Sequence, residues 1–240
     1  SALRLRKSYT TNEYAQLVYA KYNQHICKGE DDKTNLLLSK LRTLSKQKIS
    51  NNYYIAIQLE LGWDKIIENK GGHCDYFELA SKRVDKSTHF ILKTKLKSAI
   101  LSTCENNDPV LVLRGLYKVL EEVNQENYPF LKGDVLRIMA SEYVDIGQSS
   151  LAAKLGEEAL NIDEKPVVEI DNLPLYYNLS RDYLDAGDIV NAQRNLHIVE
   201  KLWSKNKTNL VATRLKLALS AIFAYTKRDY ELLKFLDNRL

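Results

Sequence analysis

Residues 182–196 read DYLDAGDIVNAQRNL, and residues 142–156, forty positions earlier, read EYVDIGQSSLAAKLG. The two segments share Tyr143 and Tyr183, Asp145 and Asp185, Gly147 and Gly187, and Ala152 and Ala192 at the same offset. Recurrence at a fixed period marks a repeat architecture, in which one supersecondary unit is copied along the chain. Glycine ends a helix in a left-handed conformation at little steric cost. Alanine permits close approach where two helices cross. Each segment is therefore expected to be the hinge of a helical hairpin, with Tyr143 or Tyr183 packing beside the crossing.

Outward from these hinges, Asn107 and Arg228 fall at the corresponding turn positions, giving spacings of 40, 40 and 41 residues. Asp108 before Pro109 predicts an N-cap followed by a proline in the first helical turn. Asp188 and Asp229 stand in the same place in later units, with Ser149 serving in the unit between. Near the N-terminus, Thr10 and Glu13 have the spacing of a capping box, and that helix closes near Gly29. A second pair is expected around Gly71 and Gly72. The chain thus divides into 1–50, a basic N-terminal hairpin; 51–85, a second hairpin; and 86–240, repeats at about 86–125, 130–166, 171–205 and 208–240. A lone hairpin cannot bury both of its faces, so each must stack on its neighbours.

Ala140, Tyr143, Gly147, Ala152 and Ala159, followed by Ser180, Tyr183, Gly187 and Ala192, resemble the pattern of the tetratricopeptide repeat family. The resemblance is clearest over 134–200; the third and sixth units match in length and turn position, and the first two in general layout. It implies an all-α fold, a right-handed α-solenoid of about six helical hairpins. The usual unit is about 34 residues, and the longer period here is similar to that of repeats in bacterial regulatory proteins. First helices of such repeats line a concave groove that holds an extended peptide or a partner protein. Carried onto this chain, the resemblance places Lys97, Arg137, Ser141, Asp145, Tyr177, Arg181, Asp185 and Tyr225 in that groove, a set of basic and aromatic groups flanked by acids. The carboxylate clamp of chaperone adaptors needs Asn directly after the small residue, where this chain has Ser141 and Arg181, so that activity is not implied. The bland alternative is intrahelical charge contacts, since Arg181 and Asp185 are spaced i,i+4.

Composition narrows the function classes. With 45 % hydrophobic residues a substantial core is available, and nine Gly and four Pro are too few for the turns of an all-β chain. No apolar run approaches the roughly 20 residues of a membrane span. Three cysteines without paired spacing argue against a disulfide scaffold and point to a reducing, cytoplasmic setting. No Gly-rich phosphate loop, His-Glu-x-x-His, nucleophile elbow or Cys-x-x-Cys occurs, so no enzyme, cofactor or metal is expected. His25, Cys27, His73, Cys74 and Cys104 stand near three successive turns, but stacked hairpins about 10 Å apart are expected to keep them from sharing one ion. Tyr14, Tyr19, Tyr22, Tyr53, Tyr54, Tyr176 and Tyr177, with Trp63 and Trp203, are assigned to packing rather than to base stacking, and nucleic acid is not an expected partner.

The single methionine is Met139, and the chain stops within a helical pattern at Leu240, so it reads as a segment of a longer protein. The basic opening, with Arg4, Arg6 and Lys7, is similar to the linker helix after receiver domains of some bacterial response regulators. The expected function is a non-enzymatic protein-protein interaction domain of a larger cytoplasmic bacterial signalling or regulatory protein. The alternative is the peptide-sensing arm of a transcriptional or defence regulator.

Overall fold

At Gly187 the backbone takes φ 79°, and at Gly147 φ 74°. The amide of Asp188 bonds to the carbonyl of Tyr183 at 2.8 Å, and the amide of Gln148 to that of Tyr143 at 2.8 Å. Both turns therefore close by the same six-to-one hydrogen bond, which satisfies carbonyls that the helix end would leave unpaired. The computed structural model describes residues 9–27, 31–104, 108–162, 173–205 and 210–226. Among these every regular element is an α-helix, as composition and periodicity predict.

The chain forms two compact units, Ser1–Asn107 and Asp108–Leu240. The first contains α1 (Thr11–Cys27), α2 (Asp31–Leu44), α3 (Asn51–Ile67), α4 (His73–Ser81) and α5 (Phe90–Thr103). The second contains α6 (Pro109–Gln125), α7 (Pro129–Asp145), α8 (Ser149–Ile162), α9 (Leu173–Asp185), α10 (Ile189–Lys205) and α11 (Leu210–Thr226). The expected third hairpin, 86–125, is thus shared out, with α5 in one unit and α6 in the other. The turns at Gly29, Asn107 and Arg228, and the basic opening, lie outside the described residues.

In the first unit α3 is buried on two sides. Tyr54, Ile57 and Leu61 pack with Val18 and Tyr22 of α1 and with Leu37, Leu38 and Leu41 of α2. Ile55 and Leu59 pack with Phe77 and Ala80 of α4 and with Leu96 and Ala99 of α5. The first set recurs at i, i+3 and i+7 and the second at i and i+4, so two apolar stripes on one helix serve two neighbours. Gly62 lets the Phe77 ring come against the α3 backbone, where any side chain would collide with it. The end of α3 is made by Asn69 at φ 52°, ahead of the predicted Gly71 and Gly72, with Lys70 donating to the carbonyl of Lys65 at 3.1 Å. The capping box at α1 forms: the Glu13 amide donates to Thr10 Oγ1 at 3.3 Å and the Thr10 amide to Glu13 Oε2 at 2.8 Å.

In the second unit each helix packs on its sequence neighbours, most extensively α7 on α8 and α9 on α10, and α11 packs on both α9 and α10. Asp108 Oδ1 accepts from the amide of Val110 at 2.9 Å, with Pro109 in the first turn, and Asp188 Oδ1 accepts from that of Asn191 at 3.1 Å. Between them the pattern slips by one residue. α8 begins at Ser149 itself, and it is Gln148, forty residues before Asp188, whose carbonyl accepts the first helical bond. Ala140, Ala152, Ala159, Ser180 and Ala192 are all buried, as positions of close helix approach require. Gly156 serves the same need between α8 and α9, since a Cβ there would stand 2.8 Å from Leu179 Cδ2. The tyrosines and Trp203 pack, whereas Trp63 is 36 % exposed and meets Phe77 edge-on. Tyr22 and Tyr54 are core residues, Tyr14, Tyr19 and Tyr53 lie against the same cluster, and Tyr176, Tyr177 and Trp203 lie against that of α9, α10 and α11.

Candidate functional site

α7 carries Arg137, Ser141 and Asp145 at i,i+4 spacing, and α9 carries Tyr177, Arg181 and Asp185 at the same spacing forty residues on. Ser141 and Asp145 are exposed, Tyr177 is half-buried against the core, and Asp185 is exposed. Both arginines make ion pairs, but with partners that spacing alone does not pick out. Arg137 Nη1 meets Asp134 Oδ1 at 3.0 Å, one turn back. Arg181 Nη2 meets its neighbour Asp182 Oδ1 at 3.4 Å. Asp145 and Asp185 are therefore not the recorded ion-pair partners of these arginines. Lys97 is exposed on α5 and belongs to the first unit. Tyr225 is on α11, and its side chain lies outside the described residues.

Asp182, which motif reading passes over, is the residue that shapes the α9 face. Its side chain is buried, and burial pushes its carboxyl up to about 6 against the attraction of Arg181, with Asp185 adding repulsion. Glu142, forty residues earlier, is also buried and raised for the same reason, with Asp145 in the place of Asp185. The signal was present in the paired segments, since each has an acid directly before its tyrosine. The Nε of Arg181 is buried with no hydrogen-bond acceptor among the described residues. Among the described residues the ion-pair partner of the Arg181 guanidinium is thus the buried carboxylate of Asp182.

α8, α9 and α10 also line a solvent-open cleft of about 320 Å³, with Glu157, Asn161, Tyr176, Asn191, Arg194 and Asn195 among its walls. Burial, followed by the nearby Glu157 carboxylate, raises the Tyr183 phenol well above its ordinary range, with the Arg194 charge opposing. On the neighbouring hairpin, Tyr143 Oη lies 2.7 Å from Tyr117 Oη, and that bond is the first cause of the Tyr143 phenol being pushed up to about 12.

The first unit holds a different cluster. Cys74 and Cys104 form a disulfide across 30 residues of chain, with Cα atoms 5.6 Å apart. This corrects the expectation that the cysteines stay unpaired. His73 joins them, with one ligand atom from each of the three residues lying within 4.8 Å of the others. The stacking-distance argument does not hold between the second and third turns, because α4 and α5 are consecutive and packed together, which brings the start of α4 beside the end of α5; His25 of α1 is not in the cluster. The side chain of Cys27 lies outside the described residues. No helix among the described residues is long and apolar enough to cross a membrane. Comparison of the chain with family models, with curated proteins and with solved structures returned no match.

Proposed function

We propose that this chain is a non-enzymatic protein-protein interaction domain, a right-handed α-solenoid of about six hairpins resembling tetratricopeptide repeats. Its support lies in the repeated closure at Gly147 and Gly187 and in the buried small residues of the α7–α8 and α9–α10 hairpins. The observation that carries the binding reading is Arg181. Its side chain is 35 % exposed, so the outer guanidinium N–H groups beside the Asp182 pair can donate to a carboxylate or carbonyl of an extended peptide, a charge-assisted bond worth about 1–3 kcal/mol. Tyr177 one turn earlier suits an apolar anchor, Arg181 itself a carboxylate, and Asp185 one turn later a donor such as a peptide amide.

The host is a larger cytoplasmic bacterial signalling or regulatory protein, with a response regulator suggested by the basic opening. The Cys74–Cys104 pair fits that compartment as a pair that is made and broken, the usual condition of cytosolic disulfides. The second reading, a peptide-sensing arm of a transcriptional or defence regulator, is favoured by the cleft between α8, α9 and α10, which has the volume of a small-ligand site.

The test is fluorescence anisotropy of the chain against a library of labelled peptides with free C-terminal carboxylates. Arg181→Ala is expected to weaken the peptides that bind by about tenfold or more. Equal affinity of wild type and Arg181→Ala removes α9 from the binding face. Binding only to RNA or DNA, falling steeply with salt, replaces the protein-interaction reading altogether.

A further inference from the structure

His73 and Cys74 open α4, and Cys104 directly follows the last residue of α5. His73 Nε2 lies 3.2 Å from the Thr103 carbonyl oxygen, and Cys74 Sγ lies 3.6 Å from the same oxygen. Thr103 Oγ1 lies 3.4 Å from Cys104 Sγ and is itself tied to the Ala99 carbonyl at 2.7 Å. The imidazole stands edge-on to Phe77, a fully buried ring, at 6.2 Å between centroids. Two sulfurs and one imidazole are therefore gathered on rigid helix ends, against an apolar wall, and all three residues are partly accessible to solvent.

We propose that His73, Cys74 and Cys104 form a redox-gated site for a soft or borderline divalent ion of the zinc class. In the disulfide state the sulfurs are committed to each other, and no pair of thiolates is available to an ion. A dithiol reductant opens the bond: two electrons and two protons pass to the sulfurs, and the reductant leaves as its own disulfide. Two thiols and a neutral imidazole then offer three ligands of the type that zinc prefers, and ion binding releases the two thiol protons. A tetrahedral ion with Zn–S of about 2.3 Å holds two sulfurs about 3.8 Å apart, which side-chain rotation at the two cysteines provides. The fourth position is left for water or a ligand. Reoxidation by hydrogen peroxide, which takes two electrons from the thiolates and two protons from solvent and leaves as two waters, re-forms the disulfide and expels the ion. Oxidation state and metal occupancy are thereby made mutually exclusive at one place. This site belongs to the first unit and does not depend on the groove of α7 and α9.

The probe is Co²⁺, followed by Zn²⁺ competition, added to the full chain in a Cys27→Ser background. One sample is reduced with a phosphine, which takes its oxygen from water, and the other is oxidised. The reduced chain is expected to take one equivalent of Co²⁺ with a thiolate-to-cobalt charge-transfer band, and the oxidised chain none. Hydrogen peroxide is expected to discharge the ion and the band together. His73→Gln is expected to weaken the site by about tenfold or more with unchanged helical circular dichroism. The comparison of the two oxidation states requires no substitution in the site, so it stands whether or not Cys74→Ser or Cys104→Ser folds. Equal uptake in both states, uptake without the charge-transfer band, His73→Gln binding as tightly as its parent, or a disulfide that the reductant leaves intact in the folded chain overturns the proposal.

Discussion

The hydroxyl of Ser180 donates a 2.7 Å hydrogen bond to the main-chain carbonyl of Ala192, joining the two small-residue positions of one repeat across the α9–α10 crossing. Both residues are fully buried. The contact is possible only because neither side chain extends past its β-substituent. Ser180→Ala is expected to cost about 1 kcal/mol, because the carbonyl keeps its place in the helix and loses one added donor. Ser180→Leu is expected to cost about 1–3 kcal/mol through overpacking. Urea unfolding followed by circular dichroism orders the three proteins. Equal midpoints for wild type and Ser180→Leu would show that the crossing is loose.

Gly156 is in the interior of α8, where alanine ordinarily stabilises a helix by about 1 kcal/mol. Here the added methyl meets Leu179, itself buried at 1 % exposure, at 2.8 Å. Gly156→Ala is therefore expected to lower stability by about 1–3 kcal/mol, the opposite sign from propensity. The readout is the thermal midpoint. A rise would mean that α9 yields to the methyl.

Asp182 predicts a pH dependence whose sign follows from its raised carboxyl. Its pKa is about 6 in the folded chain, whereas an unfolded aspartate titrates near 3.9. The folded state thus binds this proton more tightly. The contribution to stability is complete below about pH 3.9 and is lost as pH rises to and through about 6, an effect on the order of 2–3 kcal/mol at most. Asp182→Asn is expected to unfold at higher urea than wild type at pH 7 and to lose that advantage by pH 4. Asp85, held down at about 2 by Ser87, Asn51 and Thr88, titrates in the other direction. The difference between variant and wild type is accordingly the quantity to follow. A difference independent of pH would return Asp182 to its ordinary range.

Closing a 30-residue loop by Cys74–Cys104 is expected to stabilise the first unit by about 3–4 kcal/mol in the chain-entropy account. Trp63, edge-on to Phe77 at 5.8 Å, reports that unit, and Trp203, which donates to Thr213 Oγ1 at 3.1 Å, reports the second. Reduction is expected to shift the guanidinium midpoint of Trp63 fluorescence in a Trp203→Phe chain and to leave that of Trp203 in place in a Trp63→Phe chain. Equal shifts in both would contradict a stabilisation confined to the first unit.

What could be read along the chain was local. The left-handed closures at Gly147 and Gly187, the Asp108 and Asp188 caps and the Thr10–Glu13 box each rest on hydrogen bonds within a few residues. The recurring small residues announced the crossings, because close helix approach leaves no room for others. Side-chain partners across the fold were not legible in this way. Arg181 pairs with Asp182 rather than Asp185 because α9 turns Asp182 toward the packed interior and leaves Asp185 in water. Cys74 meets Cys104 because a nine-residue α4 is followed by an α5 that returns alongside it, a matter of helix length and packing with no trace in cysteine spacing. The sequence by itself determined the helices, the Asp108, Asp188 and Thr10–Glu13 caps and the forty-residue spacing of the Gly147 and Gly187 turns, since short-range hydrogen bonding and periodic burial set them. Only the tertiary structure decided which charges lost their water and which sulfurs met, since both depend on groups brought together by packing rather than by position in the chain.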